Sequence, residues 1–395
     1  MDIFWEKKGW EEEDPHLLKL KAMPFLRPFP DLNIKKGLYI LRGPRQVGKT
    51  TWLKKLLAQS IREGKECFYI SCEQIDDYKQ LSILLKSLRT CDVVYLDEIS
   101  FVDQWARSIK TEVERTESPT FVITGSNTTD LRKGGERLPG RFGDGGEFEL
   151  LPMSFDVFCK MREQIPLRNE SKKELLLSYF KVGGFPLSLL EIAEDAGKEI
   201  PTKAQDTYWK WLVGDVVRAG KSEVFLRDII GQLAIAHGTP ISLQTLAKKT
   251  QIGSHNTVSE YIQLLEDCFA LSTVYAIDPN SGSRKYRSEK KYYFRDPLIY
   301  WIAISQSHYK VTDNFNSQLA ELVAAEDLIQ KYGGVGYYRS KKGEVDFYKH
   351  QSWAIEIKWK DIATDISKAF FEVPVSEKIV WTTGNFMEEY PRTKI

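Results

Sequence analysis

"GLYILRGPRQVGKTT", residues 37–51, decides how the first half of the chain folds. The apolar run before Gly43 has the composition of a strand buried on both faces, and residues 43–50 satisfy G-x-x-x-x-G-K-[ST]. A strand that runs into a glycine loop and then opens a helix turns successive backbone N–H groups toward a polyphosphate. Gly43 and Gly48 let that loop curl, and Pro44, Arg45, Gln46 and Val47 complete it. Lys49 reaches the outer phosphates, Thr50 offers a hydroxyl to Mg²⁺, and Thr51 closes the nucleotide-binding run. By average composition the bare pattern arises in roughly one chain in a hundred of this length, so its strand-to-helix context carries much of the weight.

Working outward, "ECFYISC", "CDVVYLDE", "TFVITGS" and "EFELLP" read as four further strands separated by helical patterns. The expectation is an α/β domain over residues 37–152 with a parallel sheet covered on both faces, preceded by a leader, residues 1–36, along its outside. "VVYLDEIS" brings Asp97 and Glu98 out at a strand's carboxyl end, beside the loop after the first strand. Asp97 is expected to bind Mg²⁺ through water and Glu98 to activate the attacking water, which implies hydrolysis. Alone, such a pair is as often a helix N-cap; beside the phosphate loop the catalytic reading prevails. "ITGSN" places Ser126 and Asn127 at the same rim, with Asn127 chosen to sense the γ-phosphate. In the glycine-rich loop after it, Arg132, Arg137 and Arg141 are candidates to stabilise transition-state charge, in cis or from a neighbouring subunit, and Arg141 is carried forward. Solvated loop arginines would look the same.

These stretches, with "LPGRF" and "LLPMSFDVF", resemble the prokaryotic AAA-type ATPases that carry a C-terminal domain of unknown function with a restriction-endonuclease-like fold. The resemblance extends to "GGFP", a winged-helix segment and a late "EVDF…E-x-K". It implies an ATP- and Mg²⁺-dependent enzyme and leaves the biological role open.

The chain has 395 residues, too many for one ordinary core and consistent with about two to four domains. With 42% hydrophobic and 28% charged residues, and no apolar run of roughly 18, neither disorder nor a membrane span is expected. "MDIFWEKKGWEEEDPH" lacks a signal-peptide layout, and the five scattered cysteines suggest neither disulfide framework nor zinc site, so a reducing cytoplasm is expected. A net charge of +1 means that any nucleic acid must be met by a local basic patch.

Residues 153–225 read as helical, and residues 226–295 as a winged helix-turn-helix. Ser254 is expected to cap a second helix that presents His255, Asn256, Thr257 and Ser259, as a recognition helix would. Glu260, Glu266 and Asp267 favour instead a protein-interaction module. Residues 284–295, "RKYRSEKKYYFR", interleave basic and aromatic side chains that suit DNA, or keep a strand edge soluble.

Residues 296–395 form a fresh α/β unit. Strand alternation in "EVDF" and "WAIEIKW" lets Asp346 converge on Glu356, with Lys358 beside it, as Mg²⁺-dependent phosphodiester cleavage requires. Glu326 on the preceding helix is the candidate fourth member, in the order of the restriction-endonuclease-like core. Charges on the wet face of a strand pair give the same pattern without catalysis. The combined expectation is Mg²⁺-dependent ATP hydrolysis that moves a winged-helix and nuclease-like half on DNA, with homo-oligomers as an option. The alternative is a nucleotide-gated protein-interaction switch with little turnover.

Overall fold

The computed structural model describes residues 9–115, 117–125, 140–165, 170–195, 198–307, 315–361 and 365–386. The chain divides into two compact units, Met1–Pro152 with Met161–Ile165, and Met153–Lys160 with Pro166–Ile395.

The first unit begins with α1 (Pro15–Lys21), whose cap Asp14 accepts the Leu17 N–H and whose first residue is proline. Then come β1 (Leu38–Arg42), α2 (Lys49–Arg62), β2 (Cys67–Ser71), α3 (Tyr78–Ser87), β3 (Val93–Asp97), α4 (Trp105–Val113), β4 (Thr120–Gly125) and β5 (Gly146–Glu149). All five expected strands are present, paired in parallel in the order β2-β3-β4-β1-β5. Leu38, Ile40, Val94, Leu96, Phe121 and Ile123 pack one face of the sheet against Leu81, Leu85 and Ile109 of α3 and α4. The other face meets α2. A parallel sheet needs crossover connections, so the carboxyl ends of β1, β3 and β4 share one rim. The leader is more than an outer strap: Trp10, Phe25 and Ile34 are buried, and Phe29 stacks on Trp52 of α2.

The second unit contains the first turns of α5 (Phe155–Arg162), then α6 (Lys172–Val182), α7 (Pro186–Glu194) and α8 (Thr202–Arg218). "GGFP" is the sharp break between α6 and α7. Gly183 has φ 75°, and a Cβ there would lie 2.1 Å from Asp296 Oδ1, while one on Gly184 would lie 2.1 Å from the Met153 carbonyl oxygen. Asp296 accepts the Gly184 N–H and the Leu298 N–H, each at 2.8 Å, tying that turn to the start of the distant helix Pro297–Gln306. No single helix among the described residues is long and apolar enough to cross a membrane. The α6–α7 pair passes only together, across a 111° bend, and its Leu176, Phe180 and Leu189 are core residues.

Next come α9 (Glu223–Ile235), α10 (Leu243–Lys249) and α11 (His255–Asp267), then the antiparallel pair β6 (Leu271–Tyr275) and β7 (Lys290–Phe294). Ile241, between α9 and α10, bridges to Lys290. Ser254 caps α11 through the Thr257 N–H. The chain continues through α12 (Pro297–Gln306), α13 (Phe315–Tyr332), β8 (Gly336–Ser340), β9 (Gly343–Lys349), β10 (Trp353–Lys358), α14 (Lys368–Glu372) and β11 (Glu377–Thr382). The sheet order is β11-β10-β9-β8, with β8–β9 and β9–β10 antiparallel and β10–β11 parallel. The charged face of β10 is not wet: Ala354 packs with Ala369 and Phe370 of α14, and every residue from Trp353 to Ile357 is buried.

Candidate active site

The phosphate loop connects β1 to α2. Gly43 (φ 153°), Gln46 (φ 63°) and Gly48 (φ 103°) turn its backbone. A Cβ on Gly43 would lie 2.0 Å from the Leu150 carbonyl oxygen, so only glycine fits where β1 meets the segment after β5. Lys49 is buried, and its Nζ donates to the Gly43 and Pro44 carbonyls at 2.9 and 2.8 Å, which aligns the ammonium with the loop's concave side. The leader braces the loop from behind. Arg27 donates to the Val47 carbonyl at 2.8 Å and the Leu151 carbonyl at 2.6 Å, and His16 Nε2 lies 2.8 Å from Thr51 Oγ1. Burial, then the nearby Lys54 ammonium, lowers the His16 pKa.

Asp97 ends β3 and is 4% exposed. Its Oδ1 accepts the Thr124 hydroxyl at 2.5 Å and its Oδ2 the Tyr69 hydroxyl at 3.1 Å. The same Thr124 oxygen accepts the Glu98 N–H at 2.9 Å. Glu98 itself has φ 51°, an uncommon left-handed conformation that redirects its side chain away from the strand path. One hydroxyl at the end of β4 thus fixes both acids. The residues fit a magnesium nucleotide: a loop whose glycines leave its backbone open, an ammonium held by carbonyls, and an anchored carboxylate. Arg141 donates Nε and Nη2 to Glu114 Oε1 at 2.9 and 2.6 Å. Ser126, Asn127, Arg132 and Arg137 lie outside the described residues.

In the second unit, Asp346 and Glu356 lie on the neighbouring strands β9 and β10, and the charge of one acts on the other. The β9–β10 ladder ends at Phe347↔Ile355; Asp346 and Glu356 would be its next partners, but the Asp346 carboxylate takes the Ile357 N–H instead, at 2.9 Å. Lys358 pairs with Glu356 at 2.9 Å. Glu356 is 3% exposed, and its Oε2 has no hydrogen-bond partner. Burial and then the Asp346 charge push the Glu356 pKa up.

Glu326 does not join them. Arg295 donates Nε and Nη2 to it at 2.9 and 2.7 Å, and Ser272 lies at 3.2 Å. The acid that α13 turns toward Asp346 is Glu321. At roughly 100° per residue the two glutamates point about 140° apart around the helix, and docking on the sheet selects the earlier one. Three carboxylates, Glu321, Glu344 and Asp346, converge on the fully buried Lys291 ammonium at 3.3, 2.7 and 3.2 Å. Burial disfavours the Lys291 charge, but Tyr293, Glu321, Asp346 and Glu344 outweigh it and hold the group well above its usual range. Among the described residues no three His, Cys, Asp or Glu side chains form a ready metal cage.

The basic stretch 284–295 therefore splits. Arg284, Lys285, Tyr286 and Arg287 are exposed between β6 and β7, whereas Lys291 and Arg295 turn inward to acids. On α11, His255, Asn256 and Ser259 are exposed, and Glu260 pairs with Lys221. Sequence reasoning missed Thr124, Tyr69, His16, Arg27, Lys291, Glu321 and Glu344. Only Glu321 had a legible signal, as a second acid on the helix that carries Glu326.

The β2-β3-β4-β1-β5 sheet, its phosphate loop and the Asp97–Thr124–Glu98 cluster define the first unit as a P-loop ATPase domain. In agreement, residues 35–159 match a AAA domain family, and residues 173–307 match a domain of unknown function, DUF8612. The first unit therefore carries an AAA-type ATPase domain. The chain is similar to the structure of a Walker-type ATPase of Pyrococcus abyssi, at 14% identity, covering 68% of this chain and 91% of that one, TM-score 0.46. It is also similar to the RuvB Holliday junction branch migration motor of Thermotoga maritima, at 20% identity over 60% and 81% of the two chains, TM-score 0.35. A third is the ORC1 protein of Aeropyrum pernix in complex with DNA, at 16% identity over 73% and 89%, TM-score 0.32. No curated protein matches the chain.

Proposed function

We propose that this protein hydrolyses ATP with Mg²⁺ and uses the cycle to move a C-terminal half that acts on DNA. The observation that carries the proposal is the shared Thr124 hydroxyl, which holds Asp97 and Glu98 in fixed relation at the phosphate-loop rim. Thr50 and Asp97 would hold Mg²⁺, which supplies charge neutralisation on the phosphates when bound. Lys49 exchanges its carbonyl partners for outer phosphate oxygens, and Glu98 takes the proton of the attacking water. Arg141 acts on transition-state charge only once its pair with Glu114 opens, and Asn127 remains the proposed γ-phosphate sensor. Phosphate release that persists unchanged in both Lys49→Ala and Glu98→Gln would refute the proposal.

For the second half, the run α9–α10–α11–β6–β7 with the Ile241–Lys290 bridge supports a winged helix over 226–295. Its exposed α11 face and Arg284, Lys285 and Arg287 would meet DNA. Helix–strand–strand–strand–helix–strand order after residue 315 supports a restriction-endonuclease-like domain over 296–395. There Asp346 and Glu356 would hold one divalent ion, supported by the unpartnered buried Glu356 Oε2, while Lys358 positions the attacking water. Metal-dependent cleavage of plasmid or single strands should vanish in Glu356→Ala; activity surviving there rules this site out.

A further inference from the structure

We infer that the Lys291 ammonium is a built-in cation that fills one of two cation positions in the carboxylate cluster, leaving the position between Asp346 and Glu356 for a single divalent ion. The inference rests on the proposal that Asp346 and Glu356 hold such an ion.

Lys291 comes from β7, outside the four-stranded sheet, and its side chain has no exposure to solvent. Its Nζ touches Glu321, Glu344 and Asp346, three carboxylates from α13 and β9 that meet around the ammonium. At 2.7 to 3.3 Å these contacts have ammonium rather than metal spacing, for which about 2.0 to 2.6 Å is usual. Asp346 is shared: Oδ1 faces Lys291, and Oδ2 faces the Ile357 N–H beside Glu356. A bridging carboxylate is how two cations occupy one site.

Charge count agrees. The cluster has four carboxylates, Glu321, Glu344, Asp346 and Glu356, against two ammoniums, Lys291 and Lys358. Fully ionised it is short of two positive charges, the charge of one divalent ion, and the partnerless Glu356 Oε2 marks the side where that ion is missing counter-charge. Lys358 is already committed to Glu356, so Lys291 is the ammonium that serves the other three acids.

The test is a Mn²⁺ titration of the nucleotide-free full chain, followed by electron paramagnetic resonance, in an Asp97→Asn background that silences the nucleotide site. One uncoupled Mn²⁺ per chain is expected, weakened at least tenfold by Glu356→Gln. Lys291→Met, close in length and uncharged, should raise the count to two and give a spin-coupled spectrum. A coupled pair without the Lys291 substitution, or a count that stays at one in a folded Lys291→Met, overturns the inference and leaves the Asp346–Glu356 ion intact. No Mn²⁺ in any variant removes that ion and the inference with it. Should Lys291→Met not fold, the spectrum of the chain with Lys291 intact still decides between one uncoupled ion and a coupled pair.

Discussion

The phosphate loop and the carboxylate cluster both gather charge in buried surroundings, but they assemble it in opposite ways. In the loop a contiguous run of eight residues, 43–50, supplies glycines, ammonium and hydroxyl, and the balancing dipoles are backbone amides at the start of α2. The cluster draws on α13, β7, β9 and β10, and it balances acids with two lysines. A site made of backbone survives most side-chain changes. One made of paired charges is disturbed by any single change, because the remaining charge is left buried.

That contrast predicts a hierarchy of effects. Lys49→Ala and Glu98→Gln should each lower ATP turnover by about 10²–10⁴-fold, measured as phosphate release, while thermal stability of the second unit stays unchanged. Thr124→Val, which leaves Asp97 and Glu98 without their common partner, should reduce turnover roughly 10- to 100-fold with little change in KM. If Thr124→Val turned over normally, the rigid relation of the two acids would not matter. Arg27→Ala removes the brace behind the loop and should weaken nucleotide binding about tenfold, read as Kd by calorimetry, without abolishing turnover at saturation.

The smallest effect concerns a buried titrating group that takes no part in either site. His237 is fully buried with both ring nitrogens unpartnered, and burial, then Lys291, depresses its pKa to about 3. Above the unfolded pKa of about 6.5 both states are neutral and no penalty exists. As pH falls below that value only the unfolded chain gains the proton, so stability is lost down to about 3, at up to about 1.4 kcal/mol per pH unit. His237→Phe should flatten the decline of Tm between pH 6.5 and 5; equal slopes in both proteins would contradict the assignment.

Legibility in the sequence divides along the same line. The five parallel strands, the loop and the Asp97–Glu98 pair were readable because each is a local pattern: apolar runs, glycines at fixed spacing, acids at a strand end. Thr124 was not read as a partner of Asp97 because which residue of β4 touches that carboxylate depends on the β3–β4 stagger, Val93↔Thr120 through Leu96↔Ile123. Lys291 looked like one of several DNA-facing basics, since a strand's sequence does not say which face another layer will cover. Glu326 was chosen over Glu321 because a helix carries acids on several faces, and only its docking on β7 and β10 picks one.

By itself, then, the sequence determined the patterns whose residues are neighbours along the chain: a phosphate loop after a strand, two acids at a strand end, and a strand pair that carries Asp346 and Glu356. Only the tertiary structure decided what surrounds them, the leader behind the loop, Thr124 between two acids, and Lys291 among three carboxylates. Local patterns set backbone geometry. Burial and charge compensation are properties of packed layers, and they come from residues tens of positions apart.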